Sequence, residues 1–190
     1  MSGRMAALAI AVVAVVGQLA SAPFGTSSSV NQSAPTHSRL PKLLLWNASP
    51  SAPRGLYLLR PASPLVVGEL VAVVPPEPLA RFAAVRGYLP LGIPLLKHIV
   101  ALGGQTVCRI AYVVTVDDRA VAVARARDTS GRPLPRGQGC RTLRAGQVFL
   151  LNSAIPDSFG GRYCGVLSAN TITARAEPLW LIAEHQSCST

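Results

Sequence analysis

Leu95-Leu96-Lys97-His98-Ile99-Val100 sets one lysine in an apolar, β-branched stretch, downstream of a serine in the loop-like Asn47-Ala48-Ser49-Pro50-Ser51-Ala52-Pro53-Arg54-Gly55. A lysine acts as a general base only when its neutral form is populated. In strand geometry Lys97 shares a face with Leu95 and Ile99, because successive side chains alternate between faces. Burial on that face disfavours the ammonium and lowers a lysine pKa by up to roughly 3 to 5 units from about 10.4. An exposed lysine is neutral in only about one molecule in a few thousand at pH 7. Each unit costs about 1.4 kcal/mol, so a shift of about 3 units removes about 4 kcal/mol of stability and leaves a usable base. Two plainer accounts compete with this chemistry. Lys97 can snorkel from a strand edge to water, and a Ser/Pro/Ala stretch is often a solvated linker. His98 points to the face opposite Lys97, which makes it a packed or solvated neighbour rather than a catalytic imidazole.

The surrounding pattern separates these accounts. Ser51-x-Pro53-x-Gly55-Leu56-Tyr57 is followed by Gly68-Glu69-Leu70-Val71, then by Lys97-His98-Ile99-Val100-Ala101-Leu102-Gly103-Gly104, then by Ser158-Phe159-Gly160-Gly161-Arg162-Tyr163-Cys164-Gly165. These four ordered blocks resemble the type I signal peptidases, from about Asn47 to about Arg175. The Ser-x-Pro-x-Gly-Leu-Tyr form, a Cys just after the lysine block and the later Gly139-Cys140 look most like the TraF-type peptidases of conjugative transfer systems. The resemblance implies a nucleophile at Ser51 and, at Lys97, the base that takes its proton and returns it to the leaving amine. It implies an oxyanion hydroxyl at Ser49 beside the Ser51 N–H, a hydroxyl at Ser158 that positions the lysine, and a supporting arginine at Arg162. It also implies a pair at Cys108 and Cys140, which would close a loop of about thirty residues worth roughly 3 to 4 kcal/mol on the chain-entropy model.

The chain departs from the family at three places. Gly160 stands where an aspartate is usual, leaving Arg162 without its acidic neighbour and Asp157 as the nearest substitute. Leu102-Gly103-Gly104 replaces a Leu-Pro-Gly turn, and Cys164 replaces an aromatic. Only the first bears on chemistry, since it removes an ion pair that would support the lysine.

The elements that must carry these residues read as mostly β. Val66-Val67, Leu70 to Val74, Ile110 to Val114, Ala120 to Val123 and Gln147 to Leu151 are short apolar runs broken by Gly, Pro or Asp. Leu79 to Leu89 has helical spacing at Leu79, Phe82, Val85 and Arg86 before Gly87 and Pro90. The expected fold is a signal-peptidase-like coiled sheet or barrel over residues 42–190, with an inserted hairpin at about 108–140. That length suits one core and not two. Residues 23–41, rich in Ser, Thr, Pro and Asn, read as a flexible tether.

Ahead of the tether, Arg4 precedes an apolar run from Met5 to about Leu19. Ala20-Ser21-Ala22 resembles a cleavage site, but Pro23 would follow the cut and obstruct it. Residues 1–22 are therefore expected to be an uncleaved transmembrane signal anchor, with a cleaved export signal as the alternative. No Lys or Arg follows Arg4 until Arg39, so the positive-inside rule places the body outside the cytoplasm, on the periplasmic face of the inner membrane. In that compartment four cysteines favour disulfides over a metal site, and none has Cys-x-x-Cys spacing. Cys164 and Cys188 are left either as a second bridge or as free thiols. The net charge of +10 comes from 18 Lys and Arg scattered through loops with few aromatics, which fits inner-membrane anionic lipid better than nucleic acid. No cofactor is implied. The expectation is a membrane-anchored serine endopeptidase acting on an exported precursor, a conjugative pilin by resemblance. A general leader peptidase and a non-catalytic envelope component of the transfer apparatus are the alternatives.

Overall fold

Short β-branched runs become strands wherever a neighbouring run can satisfy their backbone groups, and the computed structural model describes residues 43–183 as a mostly β structure on this principle. In chain order the described elements are β1 (Leu43–Asn47), β2 (Gly55–Arg60), β3 (Leu70–Val73), α1 (Glu77–Val85), β4 (Leu95–Leu102), β5 (Thr106–Ile110), β6 (Val113–Val116), β7 (Arg119–Val123), β8 (Gly139–Thr142), β9 (Gln147–Leu151), α2 (Gly161–Cys164), β10 (Leu167–Ser168) and β11 (Ile172–Leu181). A seven-stranded sheet runs β1-β2-β11-β3-β4-β9-β10, and a four-stranded sheet runs β7-β6-β5-β8. All the pairings are antiparallel. Register shifts at Ile172/Ala174, Pro178/Trp180 and Ile99/Ala101 bend β11 and β4, so the large sheet curls.

Three buried clusters hold this arrangement. Ala101, Val107, Val114, Val116, Leu143, Phe149 and Leu151 join the two sheets. Val71, Val73, Leu95, Ile99, Val148 and Leu150 cover one face of the large sheet, whereas Ala52, Tyr57, Ala72, Leu96, Ala174 and Ala176 form the other cluster beneath the turn that carries Ser51. The odd-numbered positions Leu95, Lys97, Ile99 and Ala101 of β4 are all buried, as strand alternation requires.

Several local expectations shift. Val66 and Val67 are exposed and lie in a turn closed by Gly68, not in a strand. The run Ile110 to Val114 is broken, because Ala111 adopts a positive φ of 53° and turns β5 into β6. No Gly or Pro marks that turn. The helix begins two residues earlier than Leu79, with Pro78 in its first turn, where the missing N–H costs nothing. The segment expected to carry one hairpin carries two, β5–β6 and β6–β7, and is closed by β8. Cys108 and Cys140 are cross-strand neighbours in β5 and β8 and form a disulfide. The anchor expected at 1–22, the tether at 23–41 and Cys188 lie outside the described residues, and no described helix is long and apolar enough to cross a membrane.

Candidate active site

The loop between β1 and β2 must reverse within seven residues, and its sequence supplies the bonds that hold it. Asn47 Nδ2 donates to the carbonyls of Ser49, Ala52 and Pro53, and its Oδ1 accepts the Ser49 N–H. Buried Tyr57 donates its hydroxyl to Pro53 O at 2.6 Å. Gly55 is required by packing: a Cβ there would meet Trp180 O of β11 at 2.1 Å. Asn47, Pro53, Gly55 and Tyr57 are therefore scaffolding for one short turn, whose tip presents Ser49 and Ser51. Ser49 Oγ accepts the Ser51 N–H at 3.2 Å and donates to Ser51 Oγ at 3.0 Å. The two expected oxyanion donors are thus engaged with the nucleophile turn itself.

Lys97 is 1% exposed, on the face it shares with Leu95 and Ile99. It does not snorkel. Its Nζ donates to Ser158 Oγ at 2.5 Å, and Ser158 Oγ in turn donates to Ser51 O at 3.1 Å. Burial pushes the Lys97 pKa down from 10.5 to about 7; the Cys164 sulfur opposes this and the Arg162 charge adds to it. Cys164 is itself a neutral thiol near pH 7, because burial pushes its pKa up to about 12 against the pull of Lys97. Desolvation therefore dominates the lysine's behaviour at neutral pH. Among the described residues Nζ makes no direct hydrogen bond to Ser51 Oγ; Ser158 stands between the two residues as the common partner.

Arg162 is 2% exposed and takes carbonyls in place of a carboxylate. Its guanidinium donates to the oxygens of Asn152, Ser153 and Ser158, each at 3.2 Å, bracing the whole loop between β9 and α2. Asp157 does not substitute for the missing aspartate; it pairs with Arg125 at 2.6 Å instead. Its side chain is half-exposed and lines the cavity beside the 125–134 segment, and its charge still acts on Arg162 without an ion-pair contact.

Three groups that the sequence did not announce complete the surroundings. Asn152, 3% exposed, bonds to Ser51 O, Leu96 O and His98. Its only signal is a position immediately after the apolar run of β9. Buried Arg109 of β5 donates at 2.5 Å to Arg162 O and at 3.1 Å to Pro135 O, tying the four-stranded sheet to α2 beside the disulfide. Finally, residues 125–134 reach across to the loop after α1. Tyr88 donates to Asp128, Arg86 donates to Pro133 O at 2.7 Å, and Arg132 donates to Arg86 O at 2.9 Å. Between this roof and the serine turn lies a cavity of about 460 Å³ bounded by Ser51, Leu89, Leu95, Leu134, Ser158 and Phe159. A cleft of that size, apolar on its floor and opening at a serine hydroxyl, suits several residues of an extended peptide.

A search of curated protein sequences finds no significant relative. Among solved structures, a signal peptidase I from Enterococcus faecalis is similar over 58% of this chain and 94% of that chain, at 14% identity and a TM-score of 0.35. The profile of the signal peptidases, peptidase S26, matches residues 4–181, nearly the whole sequence. Proteins of that group are serine endopeptidases that act on exported precursors, and they are membrane-associated with the catalytic domain outside the cytoplasm. The chain belongs to the signal peptidase family, peptidase S26.

Proposed function

We propose that this protein is a Ser/Lys endopeptidase of the TraF type, anchored in the inner membrane, which matures a conjugative pilin or a similar exported precursor. The observation that carries the catalytic part is the burial of Lys97 with its Nζ 2.5 Å from Ser158 Oγ, which itself bonds to the carbonyl of Ser51. With a pKa of about 7, roughly half of the Lys97 side chains are neutral at pH 7.

Ser51 Oγ turns from Ser49 toward Nζ, a rotation about one side-chain bond between staggered wells. It attacks the scissile carbonyl carbon as Nζ takes its proton. The N–H of Ser51 and the hydroxyl of Ser49, released from each other, donate to the oxyanion. Collapse breaks the C–N bond, Nζ returns the proton to the leaving amine, and an acyl ester on Ser51 remains. Water activated by the same lysine hydrolyses the ester; an amino group of the pilin attacking in its place would join the chain ends. Ser158 orients Nζ throughout, and Arg162 holds the loop that carries Ser158.

The pilin assignment rests on the Ser-x-Pro-x-Gly-Leu-Tyr block and the Cys108/Cys140 pair, which resemble the TraF group. A general leader peptidase would share the dyad and differ in substrate. Full-length protein in lipid vesicles, incubated with a pilin precursor and separately with a leader-bearing precursor, tests both parts. A new pilin terminus, lost in Ser51→Ala and in Lys97→Ala, is the expected result. Processing that persists in either variant overturns the dyad, and exclusive cleavage of the leader-bearing precursor overturns the pilin assignment.

A further inference from the structure

Asn152 offers two amide N–H donors and one carbonyl with two lone pairs, and all four capacities are used. Nδ2 donates to Ser51 O and, at 3.0 Å, to Leu96 O. Oδ1 accepts the main-chain N–H of His98 at 3.1 Å and lies 3.0 Å from His98 Nδ1. The three main-chain partners decide which end of the amide is oxygen, so Nδ1 of His98 must be the donor in the remaining contact. Leu96 and His98 flank Lys97. β9 ends at Leu151, and β4 meets it only from His98 onward, so beside Lys97 the Asn152 side chain stands where a neighbouring peptide group would otherwise continue the sheet.

Two side chains therefore join Ser51 to β4, and they do so differently. Ser158 works through Nζ, the atom that moves a proton during the reaction. Asn152 works through main-chain atoms on either side of Lys97, and its bonds are indifferent to the protonation of Nζ. We infer that Asn152 is a positioning residue that fixes the separation of Ser51 and Lys97 by bonding the carbonyl of one to the strand of the other. This rests on the Ser/Lys reading above. Its active half is the donor half: Nδ2 spans the two residues, whereas Oδ1 contacts β4 alone.

Asn152→Asp keeps the shape and the acceptor half and loses the donors to Ser51 O and Leu96 O. Asn152→Ala loses both halves and leaves room for a water to satisfy the exposed partners. Misplacement of reacting groups by about 1 Å costs about a hundredfold in rate. The expected result is a fall of about a hundredfold in kcat for both variants, with KM within about threefold of wild type and acylation slowed rather than deacylation. His98→Ala, which removes one partner of the acceptor half, should lose less than about threefold. Near-normal kcat in Asn152→Asp with a folded protein overturns the inference, as does a loss confined to KM. If neither Asn152 variant accumulates as folded protein, the side chain serves the fold and the inference also fails. Ser51→Ala measured alongside keeps the two readings apart: residual processing in that variant defeats the Ser/Lys assignment itself, whatever Asn152 does.

Discussion

Replacing Lys97 by methionine should abolish activity and make the protein more stable, by an amount that shrinks as pH rises. Methionine has nearly the shape of the lysine stem and no charge to desolvate. Lys97 is 1% exposed, and its pKa falls from 10.5 to about 7 on folding. The sign follows from proton counts: between the two values the unfolded chain holds a proton that the native protein has lost, so native stability rises with pH. Below pH 7 both states are protonated and the full penalty of burying the ammonium applies, about 5 kcal/mol at about 1.4 kcal/mol per unit. By pH 9 the native lysine is neutral and part of the penalty has been relieved. Working the two protonation equilibria through, the stability of wild type relative to Lys97→Met should improve by about 3 kcal/mol between pH 6 and pH 9. Above pH 9 the absolute stability of both proteins moves in the opposite direction. The Cys164 pKa is pushed from 9.0 up to about 12, so the native protein then retains a proton that the unfolded chain releases, and stability falls. Urea unfolding of both proteins at pH 6, 7, 8 and 9 is the assay, read as the difference between them so that titrations they share cancel. A difference that stays constant within about 0.5 kcal/mol over that range would refute the claim that Lys97 is desolvated, and with it the explanation of how a lysine serves as base here.

Other consequences follow from the same site. Activity should rise through about pH 7 and stay high to at least pH 9, and the rise should survive His98→Ala; a flat profile, or one abolished by that substitution, excludes Lys97 as the titrating base. In a Cys188→Ser background the Cys164 thiol should react with iodoacetamide at pH 8 at least about tenfold more slowly in the native protein than in urea, since its thiolate fraction falls as its pKa rises from 9.0 to about 12 and the greater nucleophilicity of the more basic thiolate offsets only part of that fall. Equal rates would show that the thiol is open to solvent. Non-reducing peptide mapping of protein taken from the envelope should recover Cys108 joined to Cys140, and reduction should loosen β5 to β8 in hydrogen exchange before it disturbs β3, β4 and β9; two free thiols in that protein would overturn both the pairing and the compartment argued for it.

The local settings of the candidate residues were legible because each depends on a short stretch of sequence. Alternation in β4 placed Lys97 on the buried face, and the turn from Asn47 to Tyr57 is held almost wholly by its own neighbours. What could not be read depends on distant strands. Nothing near Asn152 says that its amide will meet Ser51, 101 residues earlier, and Leu96, 56 residues earlier. The Ala111 turn was hidden because no Gly or Pro marks it, and Val66-Val67 misled because two valines resemble a strand until Gly68 turns the chain. Asp157 was the natural carboxylate for Arg162 by proximity in sequence, yet the loop directs it to Arg125.

Gly160 is where the departure from the family carries most weight, since the absence of an aspartate there is the main sequence argument for a non-catalytic protein. The structure gives that position another use. A Cβ on Gly160 would lie 3.3 Å from Lys97 Cε and 3.4 Å from Cδ, so the space beside residue 160 is already filled by the stem of the lysine. A larger side chain would press on the very group whose placement matters. The arginine that would have paired with the aspartate instead donates from its two terminal nitrogens to three carbonyls of the loop carrying Ser158. Neutral acceptors hold it in place without cancelling its charge, and that charge adds to burial in disfavouring the Lys97 ammonium. A carboxylate in contact with either cation would pull the lysine the other way, toward the protonated form that cannot act as a base. Glycine at 160 and an unneutralised Arg162 are thus consistent with a working lysine base, and the missing ion pair does not by itself argue for loss of activity.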